Sequence, residues 1–180
     1  MESFEDVLNF WFDEITPKQW WVKDVDFDKQ LAKRYSVLHK VAVQGELFAW
    51  REQALGRLAE VIVLDQFSRN IYRDDPRSFA SDPVALVLSQ QAVQLQVHAD
   101  FSNDQKMFLF MPFMHSESLL IHGEAVRLFS QSGLENNLDF EHKHKRIIER
   151  FGRYPHRNNI VGRDSTDEEI AFLQEPGSSF

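Results

Sequence analysis

The side chains best suited to chemistry in this sequence are concentrated near its C-terminus. They are His144, Arg150, Arg153, His156, Arg157, Asn158 and Arg163. Arginine binds carboxylate or phosphate through a two-pronged donor fork, and imidazole exchanges protons near neutral pH. We therefore predict that this segment binds an anion, with His144 and His156 as acid–base groups. The alternative is that these side chains cap unpaired carbonyl groups of neighbouring helices.

A second candidate lies in residues 64–73, within a helix that is otherwise apolar. Asp65 and Arg69 are four residues apart, so they can pair on one helix face. We predict that Asp65 orients Arg69, and that Arg69 and Arg73, with Asn70 beside them, bind the ligand. The alternative is a structural salt bridge at the end of a core helix, in which desolvation offsets the attraction between the charges.

The third candidate is His115 with Glu117, which follow Pro112. Proline favours the first turn of a helix, so both residues are predicted in the first turn of a long helix. His115 is then a catalytic acid or base, and Glu117 orients the site. The alternative is a hydrogen-bonded, partly buried histidine, with Glu117 placed there by the helix dipole.

Several other kinds of chemistry lack their motifs. The chain has no cysteine, which excludes disulfides, thiolate metal sites and cysteine nucleophiles. It also has no Gly-x-Ser-x-Gly elbow, no Walker loop and no His-Glu-x-x-His motif. Glu141 and His144 form one Glu-x-x-His pair, whereas a di-iron bundle requires two. No metal and no cofactor are therefore predicted.

Charge and hydropathy limit the partners. The 180-residue chain has a formal net charge of −8 and no Lys/Arg-rich block, so we predict no nucleic-acid partner. No segment approaches the ~20 apolar residues of a membrane span, and we predict no membrane partner. The first six residues lack the basic start and apolar stretch of a signal peptide, so a cytoplasmic location is expected.

The elements that must position these side chains are helices, because helix signals are frequent and strand alternation is not sustained. Predicted helices cover residues 3–12, 26–45, 52–70, 82–97, 102–112, 112–131, 137–151 and 165–174, while residues 153–163 are predicted to form a loop. The sequence therefore predicts about eight helices in an all-α fold, stacked as antiparallel pairs. Residues 1–175 form a single helical domain, and residues 176–180 form a flexible C-terminal tail.

Longer motifs carry a family resemblance over about residues 4–174. They are Phe10-Trp11-Phe12, Trp20-Trp21, Asp26 with Asp28, Leu64-Asp65-Gln66-Phe67-Ser68-Arg69-Asn70, Phe79-Ala80-Ser81-Asp82, Met111-Pro112 with His115-Ser116-Glu117, His144, Arg150-Phe151-Gly152-Arg153-Tyr154-Pro155-His156-Arg157-Asn158, and Gly162-Arg163. The chain resembles the bacterial family called domain of unknown function 924. The resemblance implies a helical fold like that of tetratricopeptide repeats and no established activity. His122 stands where the family leads us to expect Gln, so no ligand role is assigned to it.

Three functional hypotheses follow. The first is an enzyme or binding protein for a small anionic molecule, favoured because so many donors lie at helix ends in an acidic chain. The second is a helical scaffold that binds a peptide or protein in a groove lined by Trp20, Trp21 and Phe101. The third is an internal hydrogen-bond network that only pins the helix ends. The first requires His115, His144, Asp65, Arg69 and residues 154–158 to converge in space.

Overall fold

A computed structural model describes residues 2–179, which form nine helices and no strand. The helices are α1 (Phe4–Asn9, continued by a π-helical turn, Phe10–Glu14), α2 (Val25–Val43), α3 (Ala54–Ile62, continued by a π-helical turn, Val63–Phe67, and by Ser68–Ile71), α4 (Asp82–Gln94), α5 (Asn103–Met114), α6 (Leu119–Phe129), α7 (Glu135–Phe151), α8 (Asn158–Val161) and α9 (Asp167–Phe172). The all-α prediction is confirmed. Stacking like that of tetratricopeptide repeats stays a prediction.

Helix α3 is the centre of the fold, and it contacts α1, α2, α4 and α5. Its middle, residues 61–64, is apolar on every side, and Leu58, Ile62, Leu64 and Phe67 are fully buried. A helix with this composition is expected inside a protein rather than at its surface. Every residue of α3 from 58 to 68 is buried, and Asp65 in the π-helical turn is among them.

The prediction that a long helix begins at Pro112 is wrong. Pro112 lies inside α5, which continues to Met114, and the next helix begins only at Leu119. Every side chain from Met107 to Met114 is buried, so core packing outweighs the one backbone hydrogen bond that proline cannot donate. His115 therefore caps the C-terminus of α5, and Glu117 lies in the connection to α6, not in a first helical turn.

The C-terminal segment is more ordered than a loop. After α7 ends, Gly152 adopts a left-handed conformation with φ of 69°, as expected of a glycine at that position. A 3-10 turn, Pro155–Arg157, and α8 then occupy most of residues 153–163, so the loop prediction is wrong there. Pro155 favours this turn because its φ is already close to the helical value. The compact path brings Arg157 and Arg163 towards α4 and α5.

The tail folds back in turns, and Ser178 is buried and donates a hydrogen bond to the Leu173 carbonyl at 3.2 Å. The boundary at residue 175 and the flexibility of residues 176–180 stay predictions. Met1, in the predicted domain, and Phe180, in the predicted tail, lie outside the described residues.

Two helical glycines are expected to respond in opposite directions to the same substitution. A Cβ on Gly56 would lie 2.1 Å from the carbonyl oxygen of Trp50, whereas a Cβ on Gly123 would meet nothing within 4 Å. We expect Gly56→Ala to lower the free energy of unfolding by about 1–3 kcal/mol through overpacking. Gly123→Ala should raise it by about 0.5–1 kcal/mol. Urea denaturation of both variants checks this, and equal shifts would contradict the assigned packing at Gly56.

Candidate functional site

A cleft of about 390 Å³ lies where the start of α4, the end of α5 and the segment around α8 meet. Its lining residues are Phe79, Asp82, Pro83, Leu86, Pro112, His115, Ser116, Glu117, Arg157, Val161 and Arg163. One part of the wall is apolar and the other carries paired charges. The volume is within the range of small-molecule sites. Four of the predicted site residues, His115, Glu117, Arg157 and Arg163, therefore line a single cleft.

Below the cleft, His115 is held by Asp65. The Nδ1 atom of His115 lies 2.7 Å from Oδ1 of Asp65, whose side chain is only 1% exposed. Gln66 donates a hydrogen bond to the other carboxylate oxygen at 2.6 Å. Burial raises the pKa of Asp65, but the charge and hydrogen bond of His115, with help from Arg69, lower it further than burial raises it. Asp65 is therefore an ionised carboxylate, and it accepts a hydrogen bond from the Nδ1–H group of His115.

The predicted pairing of Asp65 with Arg69 is present but loose, with the nearest charged atoms 3.7 Å apart. Arg69 instead makes a two-pronged interaction with Asp82, at 2.7 and 3.0 Å, and also donates to the Ser78 carbonyl. Arg157 donates to the same carboxylate at 3.2 Å. Two guanidinium groups therefore share Asp82, and Asp65 is a second carboxylate within reach of Arg69 alone.

Arg157 is enclosed by aromatic rings as well as by its polar partners. Its guanidinium carbon lies 4.6 Å from the centre of the Phe79 ring and 4.7 Å from that of Tyr154, distances typical of cation–π contacts. It also donates a hydrogen bond to the carbonyl of His115 at 3.0 Å. Burial, together with the nearby charge of Arg69, lowers the pKa of Arg157. An additional negative charge in the cleft would offset that repulsion.

Glu117 and Arg163 form the other charged pair of the cleft. Arg163 donates to both carboxylate oxygens, at 2.6 and 2.8 Å, and Glu117 also accepts the backbone N–H of Tyr154 at 2.8 Å. Burial raises the pKa of Glu117, but the hydrogen bonds from Arg163 and Tyr154 produce a net lowering. This pair ties the connection after α5 to the C-terminal segment, so it shapes the cleft as well as lining it.

Three further histidines surround Tyr154 behind the cleft, and none of them lines it. The ring centres of His122, His144 and His156 lie 6.3, 5.8 and 5.5 Å from that of Tyr154. Burial lowers the pKa of His144 to about 3 and that of His156 to about 4, so both rings are neutral at pH 7. Asn158 is also buried, and donates to Ser165 Oγ at 3.0 Å.

The remaining predicted ligand residues contact carboxylates outside the cleft. Asn70 and Arg73 both donate to Asp28 of α2. Arg150 donates to Glu168 at 2.8 Å, and Arg153 makes a two-pronged interaction with Glu169 at 2.6 and 2.8 Å. These four side chains join helices to one another, as the third hypothesis describes, and their predicted ligand contacts stay untested.

The aromatic groove of the second hypothesis is not assembled from the residues expected to line it. Phe101 is only 8% exposed and belongs to the core. Trp20 stacks against Trp11 and has its edge near Phe108. Trp21 alone of the predicted set is more than half exposed.

A family model described as bacterial protein of unknown function (DUF924) matches residues 7–177. The chain belongs to this family. A solved structure from Agrobacterium tumefaciens, titled as a protein of unknown function, is 34% identical and superposes with a TM-score of 0.90. That match covers 95% of this chain and 96% of the other. None of the curated proteins matches the chain.

Sequence reasoning on this family member missed Asp82 as a site residue. The pattern Asp82-Pro83 indicates a helix start, which is correct, but gives no sign that the carboxylate also joins Arg69 to Arg157. Phe79 and Tyr154, the rings on either side of Arg157, were missed in the same way. The only available signal was their presence in the long motifs that carry the family resemblance.

Two features, a membrane-spanning helix and a metal-binding cluster, are absent from residues 2–179 of this family member. None of the helices there combines the length and apolar character needed to cross a membrane. In the same residues, no group of three His, Asp or Glu side chains is arranged to hold a metal ion.

Proposed function

We propose that the cleft binds a small molecule with an anionic group, and that His115 exchanges a proton with it. The observation that carries the proposal is the Asp65–His115 pair at the edge of the cleft. Only 18% of the His115 side chain is exposed, and His115 lines the cleft while Asp65 lies beneath it. A buried carboxylate that accepts a hydrogen bond from Nδ1–H fixes the tautomer of a histidine base.

Because Nδ1 of His115 contacts Asp65, the second ring nitrogen, Nε2, is the one that can face a ligand. Among the described residues, no hydrogen bond involves Nε2 of His115. With Nδ1 donating to Asp65, the neutral ring has its lone pair on Nε2, which can accept a proton from a ligand in the cleft. The ionised Asp65 also stabilises the imidazolium that results. This arrangement suits a proton transfer between His115 and the ligand.

An anionic ligand is supported by the charges beside His115. Arg69 and Arg157 share one carboxylate, and Arg157 is enclosed by two rings next to the cleft. Arg157 has no carboxylate of its own, and a ligand carboxylate or phosphate could provide one and replace part of the hydration of its guanidinium group. Arg163, whose charge is matched by Glu117, positions the wall. We also propose a cytoplasmic location for the protein and helix stacking like that of tetratricopeptide repeats.

The test is a titration of isotope-labelled protein with inorganic phosphate, acetate and citrate, in which the ring resonances of the histidines are followed by NMR. We expect at least one anion to shift the His115 ring with saturation. In His115→Gln, where the backbone amide resonances of Ser116 and Glu117 are followed instead, the affinity should be about tenfold or more weaker, a loss of about 1.4 kcal/mol.

The control is Arg127→Gln, which removes a cation from the exposed face of α6, where Arg127 pairs only with Glu124. It should bind like the wild type. The proposal fails if none of the three anions shifts the His115 ring, or if His115→Gln binds as well as Arg127→Gln does. Thermal unfolding of each variant verifies that it is folded.

A further inference from the structure

A second concave surface, the α7–α9 groove, lies away from the cleft and shares no lining residue with it. Its floor is formed by Ile147, Phe151 and Phe172, and Phe140 extends the floor along α7. The groove has a volume of about 950 Å³, larger than that of the cleft. Phe140 is 50% exposed, so an occupant of the groove could contact it.

The rim of the groove is basic. Lys143, Arg146 and Arg150 line it together with a single acid, Glu149. Arg150 is paired with Glu168, and Glu149 with Lys145 at 3.2 Å. Within residues 2–179, neither Lys143 nor Arg146 forms an ion pair, so two positive charges at the rim are not neutralised. They stand out in a chain with a formal net charge of −8.

The cations are held close to the apolar floor. The Lys143 ammonium lies 4.8 Å from the centre of the Phe140 ring, and the Arg150 guanidinium lies 4.7 Å from that of Phe151. An occupant would therefore meet aromatic surface and positive charge side by side. A purely apolar body would leave Lys143 and Arg146 without partners, and a purely charged one would not use the aromatic floor.

The length of the groove indicates which kind of occupant, among those with both apolar and acidic groups, would fit it. The floor follows α7 from Phe140 to Phe151, which corresponds to a length of roughly 16 Å at 1.5 Å per residue. The volume of the groove lies at the upper end of the range for small-molecule sites. A short amphipathic helix fits such a groove, with apolar side chains on the floor and acids at the rim.

We propose that the α7–α9 groove is a docking site for a short amphipathic peptide segment of a partner protein, with acidic residues beside its apolar face. This site is separate from the cleft, and it is lined by different residues from those of the second hypothesis. The acids of the partner pair with Lys143 and Arg146. Its apolar residues cover Phe140 and Phe151, whereas Phe172 is already only 9% exposed.

The test is a selection from a phage-displayed library of random peptides long enough to form a short helix. The wild-type protein is the bait, and the variant Lys143→Glu with Arg146→Glu is used for counter-selection. Both side chains are exposed, so the variant is expected to fold. We expect enriched peptides with Asp or Glu beside apolar residues at helical spacing. Fluorescence anisotropy should show affinity for the variant reduced about tenfold or more.

The matched control is Lys33→Glu with Lys40→Glu on α2, which changes the net charge by the same amount at exposed positions. It should bind the enriched peptide like the wild type. Absence of enrichment, or equal loss of binding in both double variants, would overturn the proposal. So would binding of anionic phosphatidylserine vesicles through Lys143 and Arg146 without any peptide enrichment, because the groove would then serve a lipid surface.

Discussion

Asp65→Ala should lower the free energy of unfolding by about 3–5 kcal/mol at pH 7, since removing one partner of a buried charged network leaves the other uncompensated. Asp65 is fully buried, and its carboxylate accepts hydrogen bonds from both His115 and Gln66. Arg69 would also lose a nearby negative charge. Urea denaturation followed by circular dichroism measures the change.

The control for this variant is Asp139→Ala, which removes an exposed carboxylate from α7 and should change the free energy of unfolding by less than about 0.5 kcal/mol. A loss below about 1 kcal/mol for Asp65→Ala would mean that water or a rearranged side chain replaces the carboxylate easily. The buried Asp65–His115 pair would then have no special part in the fold.

The same variant has a defined pH dependence. The pKa of Asp65 is lowered in the folded protein from its ordinary value of 3.8. The stability contributed by the ionised carboxylate is therefore fully present above pH 3.8 and lost as the pH falls towards the folded value. The difference in stability between the wild type and Asp65→Ala should narrow below pH 3.8. A constant difference there would contradict the assigned charge of Asp65.

Glu141→Ala should have a comparable effect, about 3–5 kcal/mol, because Glu141 and His122 are both fully buried and only 2.7 Å apart. The Nε2 atom of His122 lies 2.9 Å from the carbonyl oxygen of Ser116, which can only accept a hydrogen bond. Nε2 therefore donates, and Nδ1 depends on Glu141 whichever of the two carries the shared proton. Removing the carboxylate leaves Nδ1 buried without a partner.

Two comparisons make the Glu141 result interpretable, with unfolding again measured in urea. Glu46→Ala removes an exposed glutamate and should be nearly neutral. Replacing both partners, Glu141→Leu with His122→Leu, should cost less than the sum of the single changes, with a coupling energy of about 0.5–3 kcal/mol. Additive losses would show that the two side chains contribute independently, contrary to the contact between them.

Much of the helical framework could be predicted from local sequence. The capping boxes at Ser102 and Thr166 and the left-handed glycines Gly45 and Gly152 mark helix limits through contacts within a few residues. The burial of the middle of α3 follows from its apolar run, residues 61–64. Such signals are readable because the interacting groups are neighbours in the chain.

The failures share one cause, which is that tertiary packing overrides a local preference. Pro112 normally favours a helix start, yet it lies inside α5 because the residues on both sides of it are buried. His115 and Glu117 consequently reach the cleft from the end of α5 and the connection that follows, not from a first turn. Residues 155–161 form helical turns, whereas Pro155 and Gly162 predicted an extended loop.

By itself, the sequence determined the helical class and the kinds of side chain available for chemistry, since composition and periodicity depend only on the order of residues. The tertiary structure alone decided which arginines stand beside His115. Arg157 reaches Asp82 across 75 positions, while Arg73 and Arg150 bond to carboxylates elsewhere. Charged side chains pair with whatever carboxylate the packed helices bring within about 4 Å, and that proximity is set by the core.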